Sequence, residues 1–168
     1  LVGSEMCIRD RPYYITSPVI MRILEEKLPI KSLTVMVQKE AAERICAEPG
    51  TRDVGAVSIA VRYYAEPEML FKVSAGSFVP PPKVDSEVIK LDILAEPPIK
   101  PKDEKQFFRL VKSAFAQRRK TLSNSLSSGL GVSKSDIAQA LESCGLKPTA
   151  RAEELSMQDF CKLADYLL

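Results

Sequence analysis

At 168 residues and 45% apolar content the chain can bury a core, and 24 Lys and Arg against 22 Asp and Glu leave a net charge of only +2. It holds no histidine or tryptophan, which excludes an imidazole base, a histidine metal site and any Ser-His or Cys-His couple. Cys7, Cys46, Cys144 and Cys161 make no CxxC pair and read as reduced thiols of a cytosolic protein rather than a disulfide or zinc framework.

No apolar run approaches the roughly 20 residues of a membrane helix, and no signal-peptide pattern opens the chain. Residues 1–11 (LVGSEMCIRDR) have no clear period and read as a non-native junction in preference to a residual strand. Ser17 and Pro18 then supply an N-cap and a first-turn proline. Val19, Ile20, Ile23, Leu24 and Leu28 follow at helical spacing, with Pro29 as the stop. LTVMVQ (33–38) is β-branched and apolar on both faces, which predicts a strand buried in a parallel sheet. KEAAERICA (39–47) predicts a helix ended by EPGTRDVG, giving a helix-strand-helix piece of an α/β layer.

AVSIAVRYYA (56–65) fits strand alternation and helical spacing equally well. EMLFKVS (68–74) and EVIKLDIL (87–94) read as strands joined by the proline-rich AGSFVPPPKVDS. The three prolines of AEPPIKPK (95–102) mark a linker, so the expected domains are 12–97 and 98–168. Beyond it everything reads as helix. Asp103 and Gln106 form a capping pair for a helix to about residue 120, with Phe107, Leu110, Val111, Ala114 and Phe115 on one face. A Ser/Gly-rich helix or loop covers 121–131, a helix over 135–144 is closed by Gly145, and the last opens at Ser156 with Asp159 three residues on. That helix should bury Phe160, Leu163, Ala164 and Leu167.

Three segments can carry chemistry. The first is Asp10, Pro12, Tyr13 and Tyr14, at the end of a possible strand. Methylating an exocyclic amine requires acceptors that bind its hydrogens and free its lone pair, and an aromatic face to clamp the everted base. A polar residue, a proline carbonyl and an aromatic supply these in four positions, and open α/β sheets bind ligands at the carboxyl ends of their strands. The plain alternative is a Pro-Tyr turn whose rings pack on the core. The second segment, 100–125, carries eight Lys or Arg against Asp103 and Glu104, a local balance of +6. At about 100° per residue, Lys105, Arg109, Lys112, Arg119 and Lys120 share the face opposite the apolar stripe. That is a phosphate-facing surface, or else a solvated lysine-rich helix. Arg118 projects to the apolar side, so either it pairs with an acid or the helix has already ended. The third is FVPPPKVDS (78–86), a rigid connector whose Lys83, Asp85 and Ser86 can also reach nucleic acid.

PYYITSPVIMRIL, MVQKEAAERICAEPGTRDVGAVSIAVRYYA, GSFVPPPKVDSEVIKL, FAQRRKTLSNSL and RAEELSMQDF, in that order, resemble the ribosomal RNA adenine dimethyltransferases. The resemblance covers about residues 12 to 168. QRRKTLSNSL together with FVPPPKVDS favours the small-subunit branch over the large-subunit antibiotic-resistance methylases and the mitochondrial transcription-factor relatives. It implies the C-terminal part of a Rossmann-like methyltransferase sheet followed by a small helical RNA-engaging domain, and it makes 56–65 a helix. It implies dimethylation of two adjacent adenines near the 3′ end of small-subunit rRNA, with S-adenosylmethionine as methyl donor and the assembling small subunit as partner. The full-length protein is expected to be a cytoplasmic monomer without metal.

In the family motif Asp10 stands in an Asn register, where it can accept an amine hydrogen or border the donor. The resemblance gives Pro12's carbonyl to the amine and Tyr13 to base stacking. It matches Arg118, Arg119 and Lys120 to a basic family segment facing RNA, and Tyr14, Lys83, Lys105, Arg109 and Lys112 complete the expected RNA-binding set. It also implies that the family's front half, with its glycine-rich turn and ribose-gripping acid, lies outside this chain: GLG (129–131) is in the helical tail. Two expectations follow: that the chain alone is inactive, and that an open edge at LTVMVQ makes it poorly stable or prone to associate. The competing reading is a non-catalytic RNA-binding module. A third, a purely structural interaction domain, predicts no salt-dependent RNA binding.

Overall fold

A strand lying between two others must satisfy both rows of backbone groups, and residues 32–38 do so with partners of opposite sense. In the computed structural model, which describes residues 16–168 and the backbone of 6–8, β1 (Met6–Ile8) runs parallel to β2 (Ser32–Gln38), with Met6 opposite Leu33. On its other side β2 is antiparallel to β4 (Ser86–Ile93), from Ser32–Asp92 to Gln38–Ser86. The outer strand, β3 (Ala65–Val73), pairs antiparallel with β4 and is bulged between Met69 and Phe71. The order is β1-β2-β4-β3.

This corrects two expectations for LTVMVQ. The strand is parallel on one side only, and it is no edge, because β4 returns from later in the chain to cover it. Its burial alternates as well: Leu33, Val35 and Val37 are buried with Ile89 and Leu91 of β4, while Thr34 and Met36 are half-buried. One face of the sheet meets the core, and the other is only partly covered.

The chain forms two units, one running as far as Ala47 and resuming over Ala60–Pro97, the other comprising Glu48–Ile59 and Pro98–Leu168. In the first, α1 (Thr16–Glu25) buries Ile20, Ile23 and Leu24. It stops four residues before Pro29, because Lys27 takes a positive φ of 49°, and Leu28 is left exposed. The next helix, α2 (Lys39–Cys46), buries Ala42 and Ile45. The ambiguous stretch is helical over α3 (Ala56–Tyr64), and β3 begins at the next residue. The proline-rich connector is pinned at its end: Asp85 accepts from the Ala75 N–H at 2.9 Å and from Lys72 Nζ at 2.8 Å, and its carbonyl accepts from the Lys39 N–H.

In the second unit, α4 (Glu104–Phe115) packs against α5 (Leu122–Leu130) and α7 (Met157–Leu167). The remaining helix, α6 (Lys134–Ser143), packs against α5 and α7. Phe107, Leu110, Leu122, Leu126, Ile137, Leu141, Phe160 and Leu163 are fully buried between them. Asp103 caps α4 through the Lys105 and Gln106 N–H groups, but Gln106 does not reciprocate: its Oε1 is buried without a partner. The Ser156–Asp159 capping box opens α7 as the sequence predicts, and Gly145, at φ 72°, ends α6. Leu167 is only half-buried, since it lies at the last turn.

Candidate nucleic-acid interface

The apolar stripe of α4 fixes which way its charges point. Phe107, Leu110, Val111 and Ala114 go into the core, so Lys105, Arg109 and Lys112 are exposed on the outer side. The helix ends at Phe115, not near residue 120, and the Ala116 N–H closes it on Ser113's carbonyl. Arg118, Arg119 and Lys120 therefore sit on the turn between α4 and α5, exposed, and helical projection does not place them. That answers the anomaly of Arg118. Rather than pairing with an acid, its Nη2 donates to the Arg52 carbonyl at 3.2 Å, within the same unit.

Ion pairing separates these cations from five others of the chain. Arg22, Lys39, Arg62, Lys72 and Lys90 each have a carboxylate within 4.0 Å. Lys105, Arg109, Lys112, Arg118, Arg119 and Lys120 have none among the described residues. A solvated helix face normally interleaves acids; six exposed cations in one stretch without ion pairs are chemically suited to phosphate.

Lys83 is exposed and lines a cleft of about 330 Å³ with Gln38, Lys39, Glu40 and Ala75, at the carboxyl end of β2. Asp85 lines the same cleft but is engaged within the fold, and Ser86 is out of reach of nucleic acid. The Lys72 ammonium, and then the Ala75 N–H, hold the Asp85 carboxyl below the usual range, and Ser86 is fully buried. Asp10, Pro12, Tyr13 and Tyr14 lie outside the described residues. Arg52 was not singled out from the sequence: EPGTRDVG carries only turn signals, and nothing local shows that it belongs with α4 and α5.

The described residues do not fit an S-adenosylmethionine pocket. Gly50, Gly131 and Gly145 take positive φ at turns or helix ends, and Gly129 abuts Ser113. None stands in a glycine-rich strand-to-helix turn. Among them, too, no three His, Cys, Asp or Glu come together as a metal set, and no helix is long and apolar enough to cross a membrane.

The ribosomal RNA adenine dimethylase family pattern matches residues 6–168. The chain is 50% identical over 158 residues to ribosomal RNA small subunit methyltransferase A of Clostridium botulinum (strain Loch Maree / Type A3), covering 94% of this chain and 57% of that protein. It is 44% identical over 170 residues to the Geobacillus thermodenitrificans protein of the same name, covering 99% and 58%. The chain thus spans little more than half the length of these relatives. Among solved structures it resembles a dimethyladenosine transferase from Plasmodium falciparum, with TM-score 0.76, 27% identity, and 92% of this chain and 63% of that one covered. It shares its fold with the 23S rRNA methyltransferase ErmE, with TM-score 0.65, 23% identity, and 97% and 64% covered. The sheet with its appended helices is therefore a methyltransferase-like α/β fold, and the chain belongs to the ribosomal RNA adenine dimethylase family.

Proposed function

We propose that this chain is the base-gripping and RNA-engaging part of an S-adenosylmethionine-dependent dimethyltransferase of the cytoplasm, acting on two adjacent adenines near the 3′ end of small-subunit rRNA. The observation that carries this is the half-identity to small-subunit methyltransferases across nearly the whole chain. The unpaired cations on and after α4 support its RNA side. In this reading Pro12's carbonyl and Asp10 accept the hydrogens of the target amine, Tyr13 stacks on the everted adenine, and Tyr14 and Lys83 border the RNA. Lys105, Arg109, Lys112, Arg119 and Lys120 neutralise phosphates. S-adenosylmethionine supplies the methyl group; the described residues do not fit its site, so the 168-residue chain should bind RNA and transfer nothing.

Two measurements test this. In calorimetry with S-adenosylmethionine the chain should show no micromolar binding, and such binding would refute the claim of inactivity. On small-subunit rRNA its affinity should fall steeply with salt; a flat salt response would refute the RNA-engaging role. A full-length relative with alanine at the position of Tyr13 should lose turnover while keeping most of its RNA affinity.

A further inference from the structure

Residues 48–53 follow α2 of the sheet-bearing unit, yet with the first residues of α3 they belong to the helical unit. The Arg118 guanidinium marks that attachment, since Nη2 donates to the Arg52 carbonyl at 3.2 Å. A carbonyl oxygen lies about 2.4 Å from its own Cα. Arg118's terminal nitrogen is therefore within about 6 Å of the Arg52 Cα, closer than one extended arginine side chain reaches. Arg52, Arg118, Arg119 and Lys120 are all exposed. Among the described residues, none of the four has a carboxylate within ion-pairing distance.

The Arg118 guanidinium thus rests on the backbone of a residue that itself carries a cation, and a polyanion bound there would meet both. The turn has local support of its own, because the Thr51 hydroxyl and N–H both donate to the Glu48 carbonyl. Arg52 is thus presented from a small constrained loop, which limits the side-chain ordering that binding must cost.

We propose that the 48–53 turn is part of the RNA-binding surface, with Arg52 contacting backbone phosphate and Arg118 acting as its positioning residue. This rests on the RNA-engaging reading above and adds a residue and a division of labour to it. Arg119 and Lys120 are the free cations of the following turn. Arg118 spends one arm of its guanidinium on the protein.

The test uses the 168-residue chain and a transcript of the 3′-terminal hairpins of small-subunit rRNA, with affinity measured across a salt series. Arg52→Glu should weaken binding about tenfold near 0.1 M salt and make the log-log salt slope shallower by about one. Arg52→Ala should show the same slope change, and Arg52→Lys should keep most of the affinity. Because Arg52 is exposed, the unfolding midpoint of each should stay unchanged, which separates contact loss from misfolding. Arg118→Lys keeps the charge but not the guanidinium geometry; it should weaken binding in the parent and add nothing in the Arg52→Ala background. Additive effects would overturn the positioning role. If Arg119→Glu with Lys120→Glu weakens binding but Arg52→Glu does not, this inference fails while the RNA reading stands. If none of them changes affinity or slope, the RNA reading itself is overturned.

Discussion

A Cβ placed on Gly129 would sit 2.6 Å from the Cβ of Ser113 and 3.2 Å from its Cα, so α5 and α4 touch there backbone to backbone. No rotamer change can relieve such a contact, because the opposing atoms belong to the root of the side chain. Ser113 is held as well, its hydroxyl donating to the Arg109 carbonyl at 2.9 Å. Gly129→Ala gains up to about 1 kcal/mol of helix propensity but costs about 1–3 kcal/mol of overpacking. Net destabilisation is the expected result, seen as a lower midpoint in thermal melts. Ser113→Gly in the same chain should return part of the loss, and a Gly129→Ala chain as stable as the parent would show that the helices do not meet this closely.

Arg62 joins two parts of the first unit. It donates from Nη2 to the Cys46 carbonyl at 2.9 Å and from Nε to the Ala47 carbonyl at 3.0 Å, with Nη1 3.5 Å from Glu66. These are terminal carbonyls of α2, which lack intrahelical partners and carry the negative end of the helix dipole. Hydrogen bonds from a charged donor contribute about 1.5–3 kcal/mol, so Arg62→Ala should destabilise by roughly that much in denaturant titration. Arg62→Lys should recover less than half, because one ammonium cannot reach both carbonyls along two fixed directions.

The loop after β3 should respond to acid. Lys72 first, then the Ala75 N–H, lower the Asp85 pKa in the fold. A lowered carboxyl contributes stability that is present above its unfolded value, about 3.9, and is lost as pH falls through the folded value. Amide exchange over 74–85 should therefore accelerate only below about pH 4. The Lys72 ammonium is raised by the same bond, so its contribution is full below about pH 10.4 and fades as pH rises through the folded value. Asp85→Asn should remove both dependences, and an acid response that survives it would assign the effect to another carboxyl.

Cys46 should be a sluggish thiol. Burial pushes it up to about 11, against the lowering effect of Arg62, with Glu87 adding to the rise. The thiolate is the nucleophile, so alkylation at pH 8 should be much slower in the native chain than in denaturant. Peptide mapping after brief iodoacetamide treatment reads this out, and rapid native modification at Cys46 would contradict the burial.

Much of this was legible locally. The Ser156–Asp159 box, the Asp103 cap, Gly145 and the apolar stripes of α4 and α7 are signals within one or two helical turns, where capping and periodicity act over a few residues. So is the family pattern, which is carried by contiguous stretches. Three things were not, because each depends on what lies beside a residue in space. The partners of β2 were settled by β4 arriving between it and β3, since hydrogen-bonding sense is a property of pairs of strands. The end of α4 at Phe115, rather than near 120, left Arg118 to reach Arg52, a contact across 66 positions that no period records. Asp85 stood in the sequence only as a residue able to reach nucleic acid, and its bonds to Lys72 and Ala75 are visible only in the fold. Local rules chose the elements of this protein; packing, through burial and the pairing of charges, decided which of its charged groups remain free to meet a partner.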